Sequence, residues 1–131
     1  MERTYSPGMR NTFLIHSIVL TVTALAYIFF PVLWGDLTGC LSNQLPQVFR
    51  LFGVSLLGLA ISSFLAYRAT SWEAVKIVAQ MECIVSTLFV PVIILGLFFW
   101  DLPSIAWMYL VLFTGFSVAF DYFYLRFPAG G

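Results

Sequence analysis

Four stretches of the chain, residues 12–34, 49–67, 75–100 and 105–125, are apolar over the length needed to cross a bilayer. A spanning helix needs about 20 such residues at a rise of about 1.5 Å each. The connections "GDLTGCLSNQLPQV", "RATSWEA" and "DLPS" are short, so consecutive helices must be antiparallel neighbours. The expected architecture is all-α: one integral-membrane, antiparallel four-helix bundle over residues 1–131. Composition agrees. The chain is 61% hydrophobic and 9% charged, against about 45–50% and about 25% for a soluble domain. That much apolar surface requires lipid as solvent. Net charge is zero and no basic run occurs, so nucleic-acid binding has no electrostatic basis.

Basic residues set the expected direction. Arg3, Arg10, Arg68, Lys76 and Arg126 fall on one side of the four spans, and Arg50 falls on the other with Asp36 and Asp101. The positive-inside rule then puts both termini in the cytoplasm of a multi-pass cell-membrane protein. Trp34, Trp100 and Trp107 mark the outer boundary and Trp72 the inner loop, with Tyr109, Tyr122 and Tyr124 adding to the interfacial belts. Pro46, Asp101 and Pro103 mark helix boundaries, while Pro31 and Pro91 lie inside spans and should bend them. "ALA" at 24–26 resembles a signal-peptide cleavage site, but the apolar run continues through "YIFFPVLW", so a spanning helix is expected instead. No lipidation motif is present at either end. Cys40 and Cys83 form no CxxC and are not expected to pair.

Small residues define two candidate packing faces: Ser55, Gly58, Ser62 and Ala66 on the second span, and Gly115 with Ala119 on the fourth. Such faces let helices approach closely where lipid supplies no hydrophobic drive.

The polar residues inside the spans are the functional lead. Ionisable groups there cost roughly 2.5–3.5 kcal/mol at the centre of a helix. Counting from the span ends at about 1.5 Å per residue, Glu82 lies about 10 Å in, Asp121 about 7 Å and His16 about 6 Å, all in the cytoplasmic half. Thr114, Ser117, Asp121 and Tyr124 share a helix face; so do Ala79, Glu82 and Ser86. Lys76, Gln80, Cys83 and Thr87 share an adjacent one, and His16, Thr23 and Tyr27 line up on the first span. These stripes predict a polar pocket of His16, Glu82, Asp121, Gln80, Ser86 and Ser117 opening to the cytoplasm.

Three readings of that pocket stand. Glu82 and Asp121 pair with Arg68, Lys76 or Arg126, whose long side chains snorkel, and so join helices. Alternatively, two carboxylates and a histidine form a proton or cation site. A metal site is the third, but one histidine without an E-x-x-H or H-x-x-H pair is a poor donor set. The same lone histidine makes a haem or chlorophyll ligand unpersuasive. No cofactor or metal is expected. Arg50 is either an interfacial anchor pairing with Asp36 or Asp101, or an outer-leaflet contact for an anion or headgroup; Gly53 beside it would let a neighbouring helix approach. No serine–histidine–acid order, H-E-x-x-H, P-loop or Gly-rich phosphate motif occurs, so an enzyme is not expected.

The stretch "RLFGVSLLGLAISSFLAYRATSWEAVKIV" resembles the middle of small four-helix bacterial and archaeal membrane proteins of the DoxX-like or domain-of-unknown-function type. In these, R-x-F-G-x-x-x-L-G opens the second helix; here the positions are Arg50, Phe52, Gly53, Leu57 and Gly58. The resemblance implies a compact four-helix bundle and brings no catalytic residues. Glu82 belongs to no pattern of that group. The functional expectation is a non-enzymatic accessory or scaffold bundle, in a homo-oligomer or a larger membrane complex. The alternative is a small oligomeric transporter or proton-coupled carrier using Glu82, Asp121 and His16. A lipid- or quinone-binding membrane enzyme is a third reading, motivated only by aromatic content and Arg50.

Overall fold

The computed structural model describes residues 6–39, 46–99 and 102–126. Arg3, Cys40, Trp100 and Asp101, invoked above, lie outside the described residues. Among the described residues the regular structure is entirely helical: α1 (Pro7–Phe29), α2 (Pro31–Thr38), α3 (Pro46–Arg68), α4 (Trp72–Phe99) and α5 (Ala106–Arg126). The four longer helices are each long and apolar enough to cross a membrane.

The first expected span is two helices. Pro31 has no N–H to donate to the carbonyl four residues back. The chain leaves helical geometry at Phe30 (φ −125°, ψ 47°), and Pro31 opens α2 in the position where proline is best tolerated. A break therefore replaces the expected bend. At its other end α1 begins earlier than expected, because the Ser6 hydroxyl accepts from the Met9 N–H at 3.1 Å and Pro7 follows at the first helical position. The α2 helix closes on Gly39, whose φ of +72° suits a residue without Cβ. Pro91 stays inside an unbroken α4. Trp72, expected in a loop, is instead the buried first residue of α4, with its ring 5.8 Å from that of Tyr124.

Helix α1 packs most extensively on α3, and α4 on α5; α1 also touches α5, and α3 touches α4. Two arginines tie the first pair at opposite ends. Arg10, near the start of α1, donates through Nε to the Tyr67 carbonyl near the end of α3 at 3.1 Å, and its guanidinium lies 4.9 Å from the Tyr67 ring centre. Arg50, near the start of α3, donates to the Ile28 carbonyl near the end of α1 at 3.3 Å. Each cation thus sits where a helix C-terminus leaves carbonyls short of donors and carries partial negative charge.

Between those ends the helices touch through Gly53. A Cβ there would stand 2.8 Å from Ile28 Cγ1 and 2.9 Å from the Ala24 carbonyl oxygen. The packing face of α3 is therefore Gly53, Leu56, Ala60 and Ser63, all buried. Of the expected face Ala66 is buried, Ser62 is half-buried, and Ser55 and Gly58 are exposed, Gly58 with no atom within 4 Å of a built Cβ. Gly115 is likewise open.

The core has two apolar clusters. One joins Met9, Phe13, Ala66, Trp72, Val75, Ala79, Cys83, Phe116 and Phe120 from all four long helices. The other joins Leu20, Ala24, Tyr27, Phe49, Leu56 and Ala60 of α1 and α3. Large apolar side chains also stand exposed on every helix, among them Leu37, Leu51, Ile77, Val111 and Leu125.

Candidate functional site: a buried histidine–serine–glutamate chain

In helical order, His16 falls between Phe13 and Leu20, Ser63 between Ala60 and Ala66, and Glu82 between Ala79 and Cys83. Each interrupts an apolar stripe of its helix. The three meet. Ser63 Oγ donates to Glu82 Oε1 at 2.9 Å, and His16 Nδ1 lies 2.9 Å from the same hydroxyl oxygen. Which of the two donates in the His16–Ser63 contact is set by the imidazole tautomer. Glu82 Oε2 stands 3.7 Å from His16 Nδ1. Relative exposures are 2% for His16, 0% for Ser63 and 1% for Glu82.

The surroundings are aromatic. Phe116 and Phe120 of α5 meet the His16 ring edge-on, at centroid distances of 4.5 and 5.3 Å. So α1, α3 and α4 supply the polar atoms and α5 supplies the cover. A buried polar group without a partner is costly in low dielectric, and this chain gives each of the three a partner.

The expected single pocket divides. His16 and Glu82 come together, and Ser86 is buried one turn beyond Glu82. Asp121 does not join them. Its Oδ2 accepts from Thr87 Oγ1 at 3.2 Å and from Ser117 Oγ at 3.3 Å, and those two hydroxyls are 2.9 Å apart. The reason is helical phase: Phe120 takes the α5 position facing His16, and Asp121, one residue on, turns about 100° away. Asp121 is half-buried and Thr87 exposed. Gln80 is exposed.

The charge partners are placed differently from expectation. Arg68 is exposed; Arg126 stacks its guanidinium 4.6 Å from the Tyr122 ring centre; Lys76 is half-buried. Among the described residues no ion pair joins these cations to Glu82 or Asp121, and the acid–base contact of Glu82 is His16. Arg50 is held by a backbone carbonyl, with no ion pair to Asp36. Among the described residues no group of three potential metal ligands occurs. Cys83 is a buried free thiol, and Cys40 lies outside the described residues.

Ser63 is the member that sequence reading passed over. The signal was available: the phase of Gly53, followed at spacings of three, four and three, leads through Leu56 and Ala60 to Ser63. Choosing the face by small residues alone gave Ser62 instead, whose hydroxyl donates to the Leu59 carbonyl of its own helix.

A cavity of about 160 Å³ lies among α1, α3, α4 and α5, and a groove of about 460 Å³ runs over the α1–α3 surface past Ser17, Thr21 and Phe64. Neither is lined by His16, Ser63 or Glu82. No family model, no curated protein and no solved structure matches the chain.

Proposed function

We propose that the chain is a multi-pass cell-membrane protein, an antiparallel four-helix bundle with both termini in the cytoplasm, that serves as a non-enzymatic accessory or scaffold in a larger membrane complex. The exposed apolar side chains on every helix support membrane insertion, since soluble surfaces rarely carry contiguous apolar patches beyond a few hundred Å². The reciprocal arginine contacts support the antiparallel arrangement of α1 and α3. Two residues of the DoxX-like motif support the bundle reading directly: Arg50 bonds the end of α1, and Gly53 admits it.

The observation that carries the functional reading is the closure of the His16–Ser63–Glu82 chain. Its members are fully buried and their hydrogen bonds point at one another. A serine nucleophile needs a base to take its hydrogen and a substrate within reach. Ser63 gives its hydrogen to a carboxylate and has no exposed surface. The chain instead joins α1, α3 and α4, which makes it a fastening between helices. Purification in mild detergent tests the accessory role. A stoichiometric membrane partner is expected, and recovery of a lone, partnerless chain across repeated preparations would count against it.

A small oligomeric proton-coupled carrier is the second reading. It is favoured by Asp121, a carboxylate half-buried within a span beside exposed Thr87, because intramembrane carboxylates often mark ion paths. Proteoliposome flux with Glu82→Gln and Asp121→Asn tests it; flux with unchanged pH dependence in both variants would remove these residues from any such mechanism.

A further inference from the structure

Thr87 Oγ1, Ser117 Oγ and Asp121 Oδ2 form a triangle with sides of 2.9, 3.2 and 3.3 Å. Thr87 comes from α4, and Ser117 and Asp121 from successive turns of α5. Every side is within hydrogen-bond reach, yet the two hydroxyls own only two hydrogens and an ionised carboxylate owns none. Whichever way the hydroxyls turn, one side has two oxygens facing each other with no hydrogen between them. The Cys83 thiol donates to the same carboxylate; that hydrogen serves a fourth contact and leaves the count unchanged. The two sides that reach Asp121 are also long, since a hydroxyl bonded to an ionised oxygen usually stands about 2.5–2.7 Å away.

One positive charge closes that deficit. Among the described residues no side-chain cation pairs with Asp121, and an unpaired carboxylate within a span is costly. The donors and their charge select the ion. All three are hard oxygens, which suit alkali and alkaline-earth ions, and no trio of His, Cys, Asp or Glu fit for a transition metal occurs among the described residues. A single carboxylate neutralises a monovalent ion, whereas a divalent one would keep net charge inside the span. Oxygens at right angles around an ion stand about 2.9 Å apart at magnesium bond lengths and about 3.3–3.7 Å apart at calcium bond lengths. The triangle lies where those ranges meet. Sodium, close to calcium in size, fits it; potassium is larger and would have to spread it.

We propose that Thr87, Ser117 and Asp121 form a sodium site across the α4–α5 contact, with water completing the shell beside exposed Thr87. The site rests on α4 and α5 being membrane spans and is independent of the choice between scaffold and carrier. Sodium there fastens α4 to α5 in the first case and is the coupling ion in the second.

The test is equilibrium binding of radioactive sodium to the full chain in phosphatidylcholine nanodiscs, in choline chloride. One saturable site per chain is expected, with potassium and calcium competing about tenfold less well than unlabelled sodium. Asp121→Asn is expected to abolish binding. Thr87→Val and Ser117→Ala each remove one oxygen and are expected to weaken it about tenfold, the loss of one contact to a charged group. Asp36→Asn, which removes an exposed carboxylate of α2, should leave it unchanged; helicity by circular dichroism establishes that each variant is folded. A chain that does not enter nanodiscs would contradict the span reading and this site with it. An inserted chain overturns the site alone by binding no more sodium than protein-free nanodiscs, by unchanged binding in folded Asp121→Asn, by indifference to both hydroxyl variants, or by displacement of sodium by choline or calcium as readily as by sodium itself.

Discussion

The imidazole of His16 and the carboxylate of Glu82 approach to 3.7 Å from α1 and α4, with the hydroxyl of Ser63 bonded to both. Two ionisable groups buried in an apolar bundle are each costly alone. Together they satisfy one another, and the serine, supplied by α3, fixes their geometry.

Removing the serine hydroxyl leaves both neighbours short of a bond. Ser63→Ala is expected to destabilise the folded bundle by about 1–3 kcal/mol, the usual cost of orphaning a buried polar group. Reversible unfolding in mixed detergent measures it. A change within about 0.5 kcal/mol, the range of an inconsequential surface substitution, would mean that the hydroxyl is not holding the pair.

Gly53 makes a second, steric prediction. A methyl group there meets the Ala24 carbonyl oxygen, which belongs to a helix backbone and cannot move aside. Gly53→Ala should therefore cost about 1–3 kcal/mol as overpacking, whereas Gly58→Ala, at an open position, should be neutral or slightly stabilising through helix propensity. Comparing the two thermal midpoints distinguishes packing from composition.

The arginine contacts at the ends of α1 and α3 predict paired, independent losses. Arg10→Gln and Arg50→Gln should each lower stability by about 0.3–1 kcal/mol, the range for a cation at a helix C-terminus. Being at opposite ends with no shared partner, their effects should add to within about 0.5 kcal/mol in the double variant. No effect from Arg50→Gln, with retained stability at high salt, would return that residue to a simple interfacial anchor.

The proposed direction of insertion is checked by labelling. In a background with Cys40 and Cys83 replaced by serine, Thr70→Cys between α3 and α4 should be blocked from a membrane-impermeant maleimide in intact cells. Ser104→Cys between α4 and α5 should react. The reverse pattern would invert the topology.

Much of this arrangement was legible in the sequence, and the failures have physical causes. Four apolar segments of spanning length were readable because each is a long apolar run, the pattern that a bilayer-crossing helix requires. The break at Phe30 was harder to see, since Pro31 is equally compatible with a kink and with opening a new helix. His16 and Glu82 could be paired by depth, but depth says nothing about rotation. One residue of phase, about 100°, separates Asp121 from Phe120 and sends the carboxylate to Thr87 instead of His16. The same error exchanged Ser62 for Ser63. Gly53 carried the missing information, because the closest helix approach fixes the phase of everything else on α3.

The most direct test of the buried chain as a fastening between helices is a double-mutant cycle of unfolding free energy across His16→Leu and Glu82→Leu. Each single variant leaves the other group buried without its counterpart and should be destabilising, while the double variant, apolar at both sites, should recover part of the loss. A favourable coupling of about 1–2 kcal/mol is expected, the upper range for polar contacts between membrane helices. Coupling within about 0.3 kcal/mol of zero, the behaviour of independent sites, would contradict the fastening.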